Sequence, residues 1–206
     1  MGDRDFQLVV LISGRGSNLQ AIIDAVEAGE LSARIKAVIS DNPHAYGLIR
    51  ARRAGIPAYA LDREPRESYN RRLLAQLQEL RPNLICLAGY MRLLPPEIIE
   101  AFPRRIINIH PSLLPAFPGL NAQRQAWEYG VKVTGATVHF VDEGMDTGPI
   151  IIQEAVPVEP GDDVETLTQR ILAVEHRIYV QAIKSLLEKG VTIDGRRVVI
   201  EEGEYA

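Results

Sequence analysis

Arg105-Ile106-Ile107-Asn108-Ile109-His110-Pro111-Ser112-Leu113-Leu114-Pro115 is the stretch on which the reading of the fold turns. Ile106, Ile107 and Ile109 are β-branched and suit a strand buried on both faces of a parallel sheet. Pro111 has no backbone donor and biases His110 toward extended geometry, so the strand ends at His110. Asn108 and His110 stand two apart and project to the same side. An amide and an imidazole at the carboxyl end of a core strand occupy the place where open α/β sheets bind their ligands. The alternative is a hydrogen-bonded polar pair that closes a loop.

Upstream of this strand the chain alternates between apolar runs and amphipathic segments. Phe6 to Ile12 is a short apolar run bounded by Gly14 and Gly16, and reads as a buried first strand. A helix opens after it, with Leu19, Ile22, Ile23 and Val26 on one face. Arg34 to Ser40 predicts a second strand, Ala45 to Ala54 a helix stopped at Gly55, and Pro57 to Leu61 a shorter third strand. From Glu64 to Leu80 a charged helix carries the stripe Leu73, Leu74, Leu77 and Leu80, and Pro82 ends it. Asn83 to Ala88 is the fourth strand, and Pro95-Pro96 opens a short helix that runs through Phe102.

Downstream of His110 the pattern changes. Pro111 to Gly119 reads as a shaped loop, Ala122 to Tyr129 as a short helix, and Val133 to Val141 and Ile150 to Val158 as strands. A long helix from Asp163 to Lys189 shows Val164, Leu167, Ile171, Val174 and Ile178 at helical intervals. Asp162 and Glu165 have the spacing of a capping box at its start, and Gly190 stands where a C-terminal glycine belongs. Asp194-Gly195 predicts a hairpin turn between two short strands. The expected class is α/β: a Rossmann-like, mostly parallel twisted sheet with helices on both faces and mixed strands in the C-terminal half. With no repeat or linker, residues 1–206 read as a single domain, with a nucleotide-binding-like half at 1–110 and a second half at 111–206.

At 206 residues, 46% hydrophobic and 24% charged, the chain has the makeup of a globular protein with one sizeable core. A net charge of -4 argues against nucleic acid or an anionic membrane as the main partner. The single cysteine, Cys86, lies in the apolar run Leu84-Ile85-Cys86-Leu87, which excludes an internal disulfide framework and a multi-cysteine metal site. The amino terminus lacks the features of a signal peptide, and no apolar run approaches the length of a membrane span. The expected compartment is the cytoplasm.

Two stretches carry chemistry beside Asn108 and His110. Ser13-Gly14-Arg15-Gly16-Ser17-Asn18 is a glycine-rich turn between strand and helix, where backbone N–H groups can approach a phosphate. Leu19 stands where the dinucleotide fingerprint has its last glycine, so the turn suits a monophosphate better than NAD. Its competing reading is a plain helix start, with Ser17 and Gln20 as a capping box. The other stretch is the glycine-flanked loop Asp142-Glu143-Gly144-Met145-Asp146-Thr147-Gly148, from which Asp146 is the leading carboxylate partner for His110. A carboxylate there stabilises the charged ring, fixes its tautomer and raises its pKa. His44 reads as an exposed turn residue and His176 as a surface residue of the long helix. His139 faces away from Val138 and Phe140, and either lines a site or is a satisfied structural histidine. His110, His139 and Asp146 could be imagined as a metal triad, but their spacing matches no helical or short-loop ligand pattern.

Taken together, Ser13-Gly14-Arg15-Gly16-Ser17-Asn18-Leu19, Asn108-Ile109-His110-Pro111-Ser112-Leu113-Leu114-Pro115 and Val138-His139-Phe140-Val141 with Asp146-Thr147-Gly148-Pro149-Ile150 resemble the phosphoribosylglycinamide formyltransferases, folate-dependent enzymes of purine biosynthesis. The middle motif is shared by the wider group of formyltetrahydrofolate enzymes, and the glycine turn narrows the match. Methionyl-tRNA formyltransferases usually add a C-terminal RNA-binding domain and formyltetrahydrofolate deformylases an N-terminal regulatory one, and this chain leaves length for neither. The resemblance implies Asn108, His110 and Asp146 as the catalytic set and Gly16, Ser17, Asn18 and Glu175 as ligands of the phosphoribosylglycinamide. It implies Arg66, Met91, Arg92, Leu93, Leu94, Val141 and Asp142 on the side of the co-substrate, 10-formyltetrahydrofolate. It further implies no metal, no nucleic-acid or membrane partner, a monomer or homodimer, and a cis bond before Pro115. The chain departs from some members at Asn121 and Gln123, where they carry histidines.

Overall fold

A computed structural model describes residues 6–62 and 64–201. The chain divides into two compact units, Met1–Ile107 and Asn108–Ala206. In the first, β1 (Phe6–Ile12) runs parallel to β2 (Ala33–Ser40) on one side and to β4 (Leu84–Leu87) on the other. The short β3 (Ala58–Ala60) pairs parallel with β2. Leu8 through Ile12 are wholly buried, which is why β1 reads as a continuous apolar run and not as an alternation. Arg105, just before β5 (Ile106–His110), accepts through its carbonyl from Ile85 N at 2.8 Å.

Helices α1 (Ser17–Glu27), α2 (Tyr46–Arg53), α3 (Arg66–Leu80) and α4 (Pro96–Ala101) connect these strands. On α3 the buried stripe is Tyr69, Leu73 and Leu77, one turn longer at its start than the leucines alone suggest. Lys36 donates from Nζ to the Leu80 carbonyl at 2.7 Å, placing a cation on the helix's negative end. The start of α1 differs from the capping-box reading. Gly16, at φ 70, is the N-cap, Ser17 is already helical, and no side chain caps the turn. Only glycine fits there: a Cβ would lie 2.6 Å from the Cα of Gly47, whose own N–H donates to the Gly14 carbonyl at 3.0 Å.

In the second unit α5 (Ala122–Tyr129) is followed by the antiparallel pair β6 (Val133–Phe140) and β7 (Ile150–Pro157), against which α6 (Val164–Glu188) packs. The β6–β7 register slips between Val138 and His139. The closing hairpin, β8 (Val191–Asp194) and β9 (Arg197–Ile200), joins this sheet through a parallel bridge between Ile150 and Arg197.

Three local expectations shift. The capping box of α6 is Asp163 with Thr166, one residue later than expected, because the Asp162 carboxylate is taken by Arg170 at 2.8 Å through each oxygen and by Glu159 N at 2.7 Å. The end of α6 is not a glycine cap: Lys189 is extended at φ -125 and ψ 153, so the chain passes straight into β8. The hairpin turn centres on Gly195 and Arg196, since Asp194 pairs with Arg197, and Gly195 takes the positive φ.

Candidate active site

His110 ends β5 and is 5% exposed. The loop that follows is folded back by short polar contacts. Ser112 Oγ donates to the Ala116 carbonyl at 2.5 Å, Thr137 Oγ1 donates to the Ser112 carbonyl at 2.7 Å, and Gln153 Nε2 donates to the Leu114 carbonyl at 2.8 Å. The Leu114–Pro115 bond is cis. This path brings the Phe117 carbonyl to 2.8 Å from His110 Nε2. A carbonyl only accepts, so Nε2 carries hydrogen and the ring titrates at Nδ1. Nδ1 faces Asp146 Oδ2 at 3.4 Å.

Asp146 is held from several sides. Its own backbone is left-handed, at φ 54, which is uncommon for a residue with a Cβ and concentrates at functional sites. Gly119 N donates to Oδ2 at 2.7 Å, and Asn108 Nδ2 lies 3.5 Å from Oδ1. The loop around it is closed by Thr147 Oγ1, donating to Asp142 Oδ1 at 2.6 Å, and by Gly148, whose missing side chain makes room for the Phe140 carbonyl. Asp142 thus spends its carboxylate on the loop.

His139 completes the cluster and was not among the catalytic residues read from the sequence. It is 2% exposed, and its Nδ1 donates to the Phe140 carbonyl at 2.8 Å. That leaves Nε2 as an acceptor in the neutral ring, 3.2 Å from Asn108 Nδ2 and 3.7 Å from Asp146 Oδ1. The orientation of the Asn108 amide follows, because the flipped amide would set its oxygen against the Asp146 carboxylate. The signal for His139 was its strand phase, two residues from Thr137, which supports the loop after His110. Among the described residues no group of three acidic, histidine or cysteine side chains is arranged to hold a metal ion.

The electrostatics differ from expectation in one respect. Asp146 does raise the proton affinity of His110, as does the Phe117 carbonyl, but burial outweighs both and holds the ring below its ordinary value of 6.5. The resting ring is therefore neutral near pH 7, not charged. Burial pushes the Asp146 carboxyl up, yet the neighbouring His139 ring at 3.7 Å, the hydrogen bond from Gly119 N and the His110 charge together bring it below its ordinary value.

Glu175 lies buried on α6, and Val141 follows β6. In the first unit, Gly16, Ser17 and Asn18 form the start of α1, and the buried Asn18 Oδ1 finds no partner among the described residues. Arg66 opens α3. Met91 and Leu93 are exposed in the loop after β4, whereas Leu94 is buried. Two of these stretches are tied together: Ser13 N donates to the Gly89 carbonyl at 3.1 Å, and Met91 N donates to Ser13 Oγ at 2.9 Å. His44 is exposed, and Cys86 is buried in β4. Among the described residues no helix is long and apolar enough to cross a membrane.

Residues 6–183 match the family described as "Formyl transferase". A trifunctional purine biosynthetic protein adenosine-3 of Drosophila melanogaster is 48% identical over 91% of this chain, which spans 14% of that protein's length. The phosphoribosylglycinamide formyltransferase of Escherichia coli is 42% identical, over 93% of this chain and 95% of its own. A crystal structure of glycinamide ribonucleotide transformylase 1 from Symbiobacterium toebii superposes with a TM-score of 0.93 at 55% identity, covering 97% of this chain and 95% of that one.

Proposed function

Since the chain belongs to the formyl transferase family, we propose that it transfers the formyl group of 10-formyltetrahydrofolate to the amine of 5'-phosphoribosylglycinamide, a step of purine biosynthesis. The observation that carries the reading is the convergence of Asn108, His110 and Asp146 in one partly buried cluster of a chain with full-length relatives of that activity.

The amine nitrogen attacks the formyl carbon, and the carbonyl oxygen gains the negative charge of a tetrahedral intermediate. An α-amine has a reference pKa of about 8, so a neutral fraction is present at cellular pH. Of the contacts made by the Asn108 amide, the one to Asp146 at 3.5 Å is the longer and weaker. That N–H is the one free to turn to the oxyanion, while the bond to His139 keeps the amide oriented. Donors of this kind are worth about 3–4 kcal/mol of barrier.

His110 starts neutral, because burial lowers its proton affinity. It accepts the proton that the attacking nitrogen sheds, becomes an imidazolium stabilised by Asp146, and returns the proton to N10 as the C–N10 bond breaks. Asp146 thus acts on the charged ring formed during the reaction. Gly16, Ser17 and Asn18 take the phosphate through uncapped N–H groups at the start of α1, and Glu175 takes the glycinamide end. Arg66, Met91, Arg92, Leu93 and Leu94, with Val141 and Asp142, take the folate. The whole chain serves as one formyltransferase domain.

The test is formyl transfer assayed with and without phosphoribosylglycinamide. Product that appears only with the acceptor supports the reading; formate released at equal rate without it would make the protein a hydrolase.

A further inference from the structure

Tyr69 is a large side chain with a polar tip that nothing in the proposed chemistry uses. It lies on the first turn of α3, 1% exposed, and its hydroxyl meets that of Tyr90 at 2.5 Å. Burial is the main reason both phenols are pushed up from their ordinary value, so both are neutral hydroxyls and one donates to the other. On the face of the Tyr69 ring sits the guanidinium of Arg92, its central carbon 4.6 Å from the ring centroid. Arg66 lies three residues earlier on the same helix, hence on the same side of it.

The loop from Gly89 to Arg92 is therefore held in alternation. Gly89 and Met91 are fixed through their own backbone groups, to the N–H and the hydroxyl of Ser13, and Tyr90 and Arg92 are fixed by Tyr69 through side chains. A guanidinium stacked on a buried ring keeps its N–H edge outward and loses little freedom when it meets a carboxylate. Folate carries its negative charge only on its glutamate tail. We propose that Tyr69, locked by Tyr90, is a positioning residue that presents Arg92 to the carboxylates of the folate tail. This rests on the reading that the loop after β4 faces the folate.

Steady-state kinetics on three variants test it, each with 10-formyltetrahydrofolate and with a 10-formyl tetrahydropteroate that lacks the glutamate. Tyr69→Leu should raise KM for the glutamate-bearing folate about tenfold, leaving kcat and KM for phosphoribosylglycinamide within about twofold. The tail-less analogue should show no such penalty. Tyr69→Phe, which keeps the ring and loses only the hydroxyl contact, should raise the same KM about two- to threefold and retains the native packing if Tyr69→Leu does not fold. An equal penalty on both folates, or a fall in kcat alone, would overturn the positioning role, as would an unchanged KM in Tyr69→Phe. Arg92→Ala separates the two levels. If it leaves the folate KM unchanged, the assignment of the loop to folate fails; if it raises that KM while the Tyr69 variants do not, only the role of Tyr69 fails.

Discussion

His110 turns one ring nitrogen to the Phe117 carbonyl at 2.8 Å and the other to Asp146 at 3.4 Å, so a single protonation site faces a single carboxylate. Replacing Asp146 by asparagine removes the charge that raises the proton affinity of this ring. Burial then acts with less opposition, and the ring should titrate at still lower pH in Asp146→Asn, read by NMR of the imidazole. The proposed role predicts a fall in kcat of about 10²–10⁴-fold. Wild-type turnover in this variant would remove Asp146 from the chemistry.

Linkage gives the pH dependence of stability a definite sign. His110 binds its proton less readily folded than unfolded, so the unfolded chain holds more protons as pH falls below 6.5, and folding loses stability there. Asp146, held below 3.8, contributes stability that is full above that value and is lost as pH drops through its lower folded value. The melting temperature should therefore start to decline below pH 6.5. Between there and pH 5 the decline should be shallower in His110→Gln. Parallel curves for the two proteins would contradict the burial argument.

His139 takes one N–H of Asn108 at 3.2 Å and so fixes which way the amide points. With His139→Ala the amide can turn, and kcat should fall about tenfold, with both KM values held within about twofold. His139→Gln, which keeps an acceptor, should recover part of the loss. Equal activity of the alanine variant and the wild type would mean that Asn108 needs no orienting partner.

Gly16→Ala tests the close approach of two backbones. The new Cβ would face both a positive φ of 70 and the Gly47 Cα at 2.6 Å. A left-handed alanine and overpacking each cost about 1–3 kcal/mol. Urea unfolding should show a loss of about 2–4 kcal/mol, and KM for phosphoribosylglycinamide should rise alongside. A loss under about 0.5 kcal/mol would mean that α2 can move away from the turn.

The strands and the long helices were legible because their apolar residues repeat with clear periods; β5 ends at His110 and α5 spans Ala122–Tyr129 as the residues suggested. Caps were less legible. At α6 the choice between Asp162 and Asp163 is decided by Arg170, which reaches back from two turns along the helix. At α1 it is Gly47, distant in sequence, that requires glycine at the cap. His139 stayed ambiguous because strand phase says which way a side chain points but not what stands opposite. The neutral resting state of His110 was hidden for a related reason. A nearby carboxylate can be guessed from a loop, whereas burial belongs to the whole packing around the ring.

Ser13, the first residue of the glycine turn, donates its backbone N–H to Gly89 in the loop after β4, and its hydroxyl accepts from Met91 in the same loop. Two loops that share a single residue cannot relax independently. If a ligand on one of them tightens Ser13, the other loop meets its own ligand with less freedom left to lose. Thermodynamics then requires the favour to be returned in equal measure, whichever ligand arrives first.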